Sequence, residues 1–309
     1  MTILENSDQS AGKPSFRFSV LYSRLPDRFY TERVTEYLLQ GSFLMIIDSH
    51  VHIFPDKIAE KAVAGIGKFY DLPMRHDGKL DTVFAEGRKA GIDKFVILSV
   101  ATVPEQVASI NNFLGENVRK HSDKLIGFCA MHPDFQGIEA ELERAREMGL
   151  VGIKLHPDFQ RFDIDDEKAF EIYRAAEGKM PILFHTGDYR TGWSKPEKMA
   201  KVMDLFPNLD VIASHFGGWS EWERTPEAYK GRNVYVDTSS SLYKLTPEEV
   251  RNMVDAFGAD HVLFGTDFPM WNMSDELELF AKLPLTAEER ELILHENMEN
   301  LLRKYGKNI

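Results

Sequence analysis

The stretch Asp48-Ser49-His50-Val51-His52 follows the apolar run Met45-Ile46-Ile47, and it decides both the fold and the site. An apolar run that leads into polar residues in this way predicts the end of a buried β-strand. Side chains two apart on a strand point to the same face, so we expect His50 and His52 to project together beside Asp48. Two adjacent imidazoles at a strand end suit a divalent cation, although paired histidines also occur in polar loops.

Three later apolar runs end in the same way, each with a side chain that can bind a metal ion. The runs that begin at residues 181, 211 and 262 end in His185, His215 and Asp267. Four of the ten histidines thus occupy strand ends, together with one aspartate, whereas chance would scatter them. If the strands are parallel, their carboxyl ends meet at one edge and bring these side chains together.

Strand-like and helix-like segments alternate along most of the chain. One predicted helix carries Ile138, Leu142 and Ala145 on a single face, and Thr246 with Glu249 is typical of a capping box at the start of another. The apolar runs predict strands at residues 45–53, 94–101, 125–131, 151–156, 181–186, 210–215, 233–238 and 261–267. Eight strands separated by helices favour an α/β fold of the closed (β/α)8 TIM-barrel type over an open doubly wound sheet.

The first 44 residues do not share this pattern. They mix polar residues with Arg24, Arg28 and Arg33, and they lack the short apolar core and small-residue cleavage site of a secretory signal. A compact domain would begin at Met45, immediately before the first strand. We therefore expect residues 1–44 to be a dispensable N-terminal extension of the barrel.

The composition excludes several classes of protein. The formal charge of -12 and the pI near 5.4 argue against a nucleic-acid partner, which needs a basic footprint. No apolar run approaches the roughly 20 residues that cross a bilayer, and the single cysteine, Cys129, cannot form an internal disulfide. We therefore expect a cytoplasmic protein that acts on a small molecule, without a nucleic-acid or membrane partner; self-association into a homo-oligomer is left open.

Five motifs in consistent order resemble the metal-dependent amidohydrolase superfamily. They are Asp48-Ser-His-Val-His-Ile-Phe54, Gly152-Ile-Lys-Leu-His-Pro157, Leu183-Phe-His-Thr-Gly187, Ser214-His-Phe-Gly-Gly218 and Leu263-Phe-Gly-Thr-Asp-Phe-Pro269. The resemblance points to the amidohydrolase-related branch that includes aminocarboxymuconate-semialdehyde decarboxylase. It implies an amidohydrolase-type TIM-barrel domain over residues 45–309.

The resemblance also implies that His50, His52, His185 and Asp267 ligate one divalent cation, with water completing the site. The family most often uses zinc, and such a ligand set suits Zn²⁺ as well as Mn²⁺, Fe²⁺ or Co²⁺. A bound cation lowers the pKa of its water towards about 7, and Asp267 can take a proton from that water. His215 is then expected to orient or polarise the substrate, or to help activate the water; a structural core histidine is the alternative.

Three further residues are candidates for substrate binding. Lys154 and His156 share a face of the fourth predicted strand, so we expect both at the barrel mouth, where His156 is equally compatible with a structural role. In some branches of the superfamily the lysine is carboxylated and bridges two metals. The branch resembled here is generally mononuclear, which leaves Lys154 to pair with a substrate carboxylate or an internal acid. Arg190 is expected either to clamp an anionic substrate or to be an exposed loop residue.

Two enzymatic functions are compatible with these residues. The first expectation is hydrolysis of a small organic substrate by a metal-activated water. The alternative is non-oxidative decarboxylation of a small unsaturated or aromatic carboxylic acid, in which a proton replaces carbon dioxide. A metal-binding barrel without catalysis is a third possibility, and the presence of Asp267 and His215 beside the ligands argues against it.

Overall fold

The computed structural model describes residues 45–307 and 309, which form an eight-stranded parallel barrel. The strands follow one another around the sheet in chain order, and each pairs in parallel with the next. Their bounds are Ile47–His52 (β1), Lys94–Leu98 (β2), Leu125–Ala130 (β3), Leu150–Leu155 (β4), Ile182–Phe184 (β5), Val211–Ala213 (β6), Val234–Asp237 (β7) and Val262–Leu263 (β8). The predicted (β/α)8 TIM barrel is confirmed. The predicted extension, residues 1–44, lies outside the described residues.

The barrel closes through the chain that follows β8. The backbone N–H of Asp267 donates to the carbonyl of His50 at 2.9 Å, and the N–H of His52 donates to the carbonyl of Phe268 at 2.8 Å. These bonds continue the sheet from β8 back to β1. They place Asp267 beside the two histidines that open the barrel sequence.

Each strand is followed by at least one helix. The helices are Asp56–Tyr70 (α1), Leu80–Ala90 (α2), Val107–Lys120 (α3), Ile138–Glu147 (α4), Pro157–Gln160 (α5), Phe170–Ala176 (α6), Pro196–Leu205 (α7), Thr225–Ala228 (α8), Pro247–Phe257 (α9), Met273–Ala281 (α10), Ala287–Glu291 (α11) and Asn297–Arg303 (α12). None of these described helices is long and apolar enough to cross a membrane.

The helical signals in the sequence are confirmed where they can be compared. Ile138, Leu142 and Ala145 are the buried apolar residues of α4. Thr246 caps α9, where its side chain accepts from the Glu249 N–H and the Glu249 side chain accepts from the Thr246 N–H. Such a reciprocal cap satisfies two of the N–H groups that a helix start leaves without partners.

One apolar cluster fills the barrel and joins it to α12. Its buried members are Ile47, Val96, Leu98, Ile126, Phe128, Val151, Leu183, Ile212, Tyr235, Leu263, Met298, Leu301 and Leu302. Burying a large aliphatic side chain contributes about 1.5–3 kcal/mol, so this cluster is a principal source of stability. The polar groups of the strands are consequently concentrated at the strand ends.

Several strands are shorter than the sequence predicts. β5, β6 and β8 end before His185, His215 and Asp267, which lie in the turns that follow. His215 and Asp267 have φ angles of 62° and 61°, in the left-handed region that non-glycine residues rarely adopt. The strands β6 and β8 end before these two residues, although the Asp267 N–H still bonds to the His50 carbonyl of β1. Backbone strain of this kind concentrates at functional sites, where it aims a side chain.

Candidate metal centre and active site

Three of the four predicted metal ligands meet at the carboxyl end of β1. His50 Nε2 lies 3.3 Å from His52 Nε2, and Asp267 Oδ1 lies 3.6 Å from the first nitrogen and 3.5 Å from the second. All three residues are at most 8% exposed. Burial lowers the pKa of both histidines well below its ordinary value, so they are neutral, as a metal ligand must be.

The spacing of these atoms fits a divalent cation. Ligand atoms about 2.05 Å from a tetrahedral ion lie about 3.3 Å from one another, close to the three separations between His50, His52 and Asp267. Two imidazole nitrogens and a carboxylate oxygen are also donors that zinc and manganese both accept. The residues present therefore suit such an ion, and they do not distinguish among the metals.

His50 is held in the orientation that a metal ligand needs. Its Nδ1 lies 3.0 Å from Asp237 Oδ2 and 3.0 Å from Ser239 Oγ. With its proton on Nδ1 and donated to the buried Asp237 carboxylate, the ring keeps a lone pair on Nε2. Sequence reasoning missed Asp237, although it ends the apolar strand β7 just as the other candidates end theirs.

A hydrogen bond between the two imidazole rings connects His185 to His215. His215 Nδ1 lies 2.9 Å from the Ser239 carbonyl, which can only accept, so His215 carries its proton there. His215 Nε2 then accepts from His185 Nδ1–H at 3.0 Å. This leaves the lone pair of His185 on Nε2, a buried atom without a hydrogen-bond partner among the described residues.

That unpartnered nitrogen does not lie with the first three ligands. His50, His52 and Asp267 form one compact group of potential ligand atoms, whereas His185 groups with His156 and Asp158. His185 Nε2 lies 3.7 Å from Asp158 Oδ2, too far for a hydrogen bond. The structure therefore brings three of the predicted ligands together and places His185 beside them, so its ligand role stays a prediction.

Two hydrogen bonds in series, from Trp271 to Ser240 and from Ser240 to Asp267, hold the Asp267 carboxylate in place. Ser240 Oγ donates to Asp267 Oδ2 at 2.5 Å, and the Trp271 indole N–H donates to Ser240 Oγ at 2.8 Å. Because Oδ2 is occupied, Oδ1 is the oxygen that faces His50 and His52.

Lys154 is buried in the centre of this group. Its Nζ lies 3.1 Å from His50 Nε2, and it is 1% exposed. Burial lowers the pKa of Lys154 to about 8, while the nearby Asp267 and Asp237 oppose the shift. The prediction that Lys154 points into the barrel mouth agrees with this position. The Lys154 ammonium donates to the lone pair of His50 Nε2, so a bound cation would compete with Lys154 for that nitrogen.

His156 lines the same cavity and is hydrogen-bonded on both ring nitrogens. Its Nδ1 accepts from the Phe159 N–H at 3.2 Å and caps α5, and its Nε2 lies 2.9 Å from the Tyr70 hydroxyl. Its ring stacks on that of His185, with the centroids 4.0 Å apart. His156 therefore has the structural role that the sequence left open, and it also reaches the cavity wall.

Arg190 is engaged within the protein rather than directed into the cavity. Its Nε and Nη2 donate to Asp188 at 2.9 and 2.6 Å, and its Nη1 donates to the Phe69 carbonyl at 2.7 Å. The guanidinium also lies over the rings of Phe69, Tyr70 and Trp219. In this arrangement Arg190 fastens the end of α1 to the loop after β5, and a clamp on substrate would require these bonds to break.

The candidate ligands line one cavity at the barrel mouth. The strand ends contribute its polar floor, including Lys154. Its other side is mainly apolar and is lined by Ile66, Tyr70, Met74, Phe159, Pro269 and Met270. Such a cavity suits a small molecule with one anionic group and an apolar or planar body. Sequence reasoning missed Tyr70, because α1 carries no motif.

The chain matches a known protein family and is similar to proteins of known activity. The family model described as amidohydrolase matches residues 47–304. A gamma-resorcylate decarboxylase of Rhizobium radiobacter is 20% identical over 301 residues, which cover 75% of this chain and 88% of that protein.

Two solved structures share the fold. A 2,6-dihydroxybenzoate decarboxylase in complex with 2,6-dihydroxybenzoate has a TM-score of 0.65 at 19% identity and covers 84% of this chain and 100% of its own. A 5-carboxyvanillate decarboxylase of Novosphingobium aromaticivorans, complexed with manganese and 4-hydroxy-3-methoxy-5-nitrobenzoic acid, has a TM-score of 0.67 at 17% identity and covers 84% of this chain and 96% of its own. At these identities the likeness shows a common fold.

Proposed function

The chain belongs to the amidohydrolase family, and from this premise we propose that it is a metal-dependent decarboxylase of a small aromatic or unsaturated carboxylic acid. This proposal reverses the order of the two functions expected from the sequence, where hydrolysis came first. The similar proteins are decarboxylases of aromatic acids, and they favour the alternative. A cytoplasmic location and self-association remain predictions.

The observation that carries the proposal is the pairing of Lys154 with the ligand cluster at the floor of a mainly apolar cavity. A buried ammonium attracts a carboxylate strongly, because water no longer screens the two charges. The apolar wall accommodates the body of the acid. Hydrolysis of a neutral amide or lactone would not need an ammonium in this position.

We assign the metal to His50, His52 and Asp267, with His185 as the fourth protein ligand. When bound, a divalent cation supplies a Lewis acid that polarises a substrate oxygen. Zn²⁺ was the first expectation from the sequence; one of the similar structures holds manganese, so both ions belong in the test.

Proton transfer belongs to the chain's own groups. Loss of carbon dioxide breaks the bond between the carboxyl carbon and its neighbour and leaves an electron pair on that neighbour, which must receive a proton. Asp267 lines the cavity beside the ligands, so we assign to its carboxyl group the transfer to that carbon of a proton taken from water. His215, bonded to His185 and Ser239, has the role of orienting the substrate or polarising it.

A substrate panel tests the proposal. Protein loaded separately with Mn²⁺ and Zn²⁺ is incubated with 2,6-dihydroxybenzoate, 5-carboxyvanillate, a lactone and an amide. We expect carbon dioxide to be released in equal amount to the acid consumed, and we expect Asp267→Asn to abolish this release. Hydrolysis of the lactone or amide without release from either acid would restore the hydrolase function.

A further inference from the structure

Tyr70 is the last residue of α1 and brings a phenol to the cavity wall. Its ring packs edge-on against Trp219, with the centroids 5.1 Å apart, and tilts against Phe159 at 5.8 Å. Its hydroxyl lies 2.9 Å from His156 Nε2, and it has no other hydrogen-bond partner among the described residues. Aromatic packing and a single hydrogen bond therefore fix the position of the phenol.

The direction of that hydrogen bond follows from the other side of the His156 ring. The backbone N–H of Phe159 donates to His156 Nδ1 at 3.2 Å, so Nδ1 carries no proton. An imidazole whose Nδ1 accepts carries its proton on Nε2. His156 Nε2–H therefore donates to the Tyr70 oxygen, and the hydroxyl proton of Tyr70 remains available.

We propose that Tyr70 is a specificity-determining residue, whose hydroxyl donates a hydrogen bond to an oxygen substituent of the substrate other than the carboxylate held by Lys154. The inference rests on the proposed function, since it concerns the substrate of that same site. Among Ile66, Tyr70 and Met74, which α1 and the following loop contribute to the cavity, only Tyr70 carries a hydroxyl. Acids with a second oxygen function are thereby favoured over plain ones.

Arg190 is the positioning residue for this phenol. Its guanidinium lies 5.1 Å from the Tyr70 ring centroid, and it bonds to the carbonyl of the preceding residue, Phe69. The pair formed by Arg190 and Asp188 anchors the guanidinium in turn. Tyr70 is thus held from its backbone side by Arg190 and from its hydroxyl by His156.

Binding measurements on Tyr70→Phe test the proposal. Calorimetric titration of the Mn²⁺-loaded protein with 2,6-dihydroxybenzoate and with benzoate compares acids with and without oxygen substituents. Because one hydrogen bond contributes about 0.5–1.5 kcal/mol, we expect about two- to tenfold weaker binding of 2,6-dihydroxybenzoate and unchanged binding of benzoate. Tyr189→Phe, which removes a hydroxyl from a side chain that is 67% exposed, serves as the matched control and should bind both acids like the parent protein.

The outcomes separate this inference from the proposed function. Equal weakening of both acids by Tyr70→Phe, or no weakening of either, would overturn the role of the hydroxyl while leaving the decarboxylase proposal intact. A parent protein that binds neither acid would contradict the proposed function, and this inference with it. Nitrogen NMR of the His156 ring supplies a test without ligand: a proton on Nδ1 would mean that Tyr70 donates to His156, which would overturn the inference.

Discussion

At the scale of single residues, His50 and His185 each have Nδ1 hydrogen-bonded to a neighbour and a lone pair left on Nε2. For His50 the lone pair faces His52 and Asp267, and for His185 it is buried without a partner. We therefore expect His50→Ala, His52→Ala and His185→Ala each to lower the metal content of the purified protein, because each removes a donor from a four-ligand site. Elemental analysis checks this, and full occupancy in all three variants would contradict the ligand assignment.

His215 is the control for these three ligand variants, because both of its ring nitrogens already have hydrogen-bond partners in the protein. We expect His215→Ala to keep most of its metal but to lose on the order of 100-fold or more in kcat, because a positioned polar group is lost. A metal-free variant would move His215 into the ligand set. Nearly full activity would make it a structural residue.

The chemical state of Lys154 distinguishes a site with one metal ion from a site with two. We expect the protein to bind about one metal equivalent without any requirement for bicarbonate, because the proposed ligands, three histidines and Asp267, would complete a protein shell with one position for water. Lys154→Met should then retain the metal and bind 2,6-dihydroxybenzoate more weakly. Two equivalents in the parent protein, one of them lost in the variant, would instead indicate a carboxylated, bridging lysine.

Glu276 is a buried acid away from the predicted ligands. Its Oε2 has no hydrogen-bond partner among the described residues, and burial raises its pKa well above the ordinary value of 4.5, with Asp267 and Asp48 adding to the shift. The folded state thus binds a proton that the unfolded state releases, so stability falls as the pH rises above about 4.5. We expect Glu276→Gln to be more stable than the parent, by a margin that widens with pH.

Denaturant unfolding at several pH values measures that margin. Glu278→Gln is the control, because Glu278 belongs to the same helix and is exposed. A margin that stays constant with pH, or that is matched by Glu278→Gln, would show that Glu276 does not titrate as its burial suggests.

Residues of the site differ in how far the sequence could predict them. His50, His52 and Asp267 ended apolar runs, so the strand pattern alone brought them to one place. Asp237 followed the same pattern, and a stricter use of that pattern would have found it. Tyr70 reaches the cavity only through the packing of α1 against another loop, which no local pattern encodes.

At the scale of elements, Arg190 links the loop after β5 to α1. It donates to the Phe69 carbonyl of α1 and forms an ion pair with Asp188 of its own loop. Asp188 is fully buried and Arg190 is 27% exposed, with 2.6 Å between Oδ2 and Nη2. We expect Arg190→Ala to lower the free energy of unfolding by about 2 kcal/mol, because the buried Asp188 carboxylate loses its charged partner and keeps the backbone N–H of residue 190. Denaturant titration measures the loss. The double variant Asp188→Asn/Arg190→Ala should recover part of it, and a single-variant loss below about 1 kcal/mol would show that the pair behaves like an exposed one.

The strands and helices were predictable to different degrees. All eight strands were found, because each is a run of buried apolar residues. The predicted ends lie beyond the observed ends of β2, β5, β6 and β8. Left-handed residues follow two of these strands, His215 after β6 and Asp267 after β8. Such conformations follow from tertiary contacts around the site, so apolar periodicity cannot indicate them. The start of α9 was predicted from its capping box, because the cap is a local interaction.

At the scale of the whole molecule, the barrel from Met45 onward contains every candidate site residue. β1 begins at Ile47, and the described residues close the barrel through backbone bonds between β1 and the segment after β8. We expect a chain that starts at Met45 to fold with an unchanged unfolding midpoint and an unchanged metal content. Circular dichroism and elemental analysis check this, and a chain that fails to fold would show that residues 1–44 belong to the domain.

The position of Tyr70, at the end of α1 over the cavity, bears on how fast molecules enter and leave the site. The candidate ligands are at most 8% exposed, and the contact of Arg190 with the Phe69 carbonyl holds Tyr70 over them. For the proposed decarboxylation, we expect carbon dioxide to leave more readily than the ring-sized product, because Tyr70 and Arg190 cover the ligands. We then expect release of the ring-sized product to limit turnover, and a weaker contact between Arg190 and the Phe69 carbonyl to speed that release.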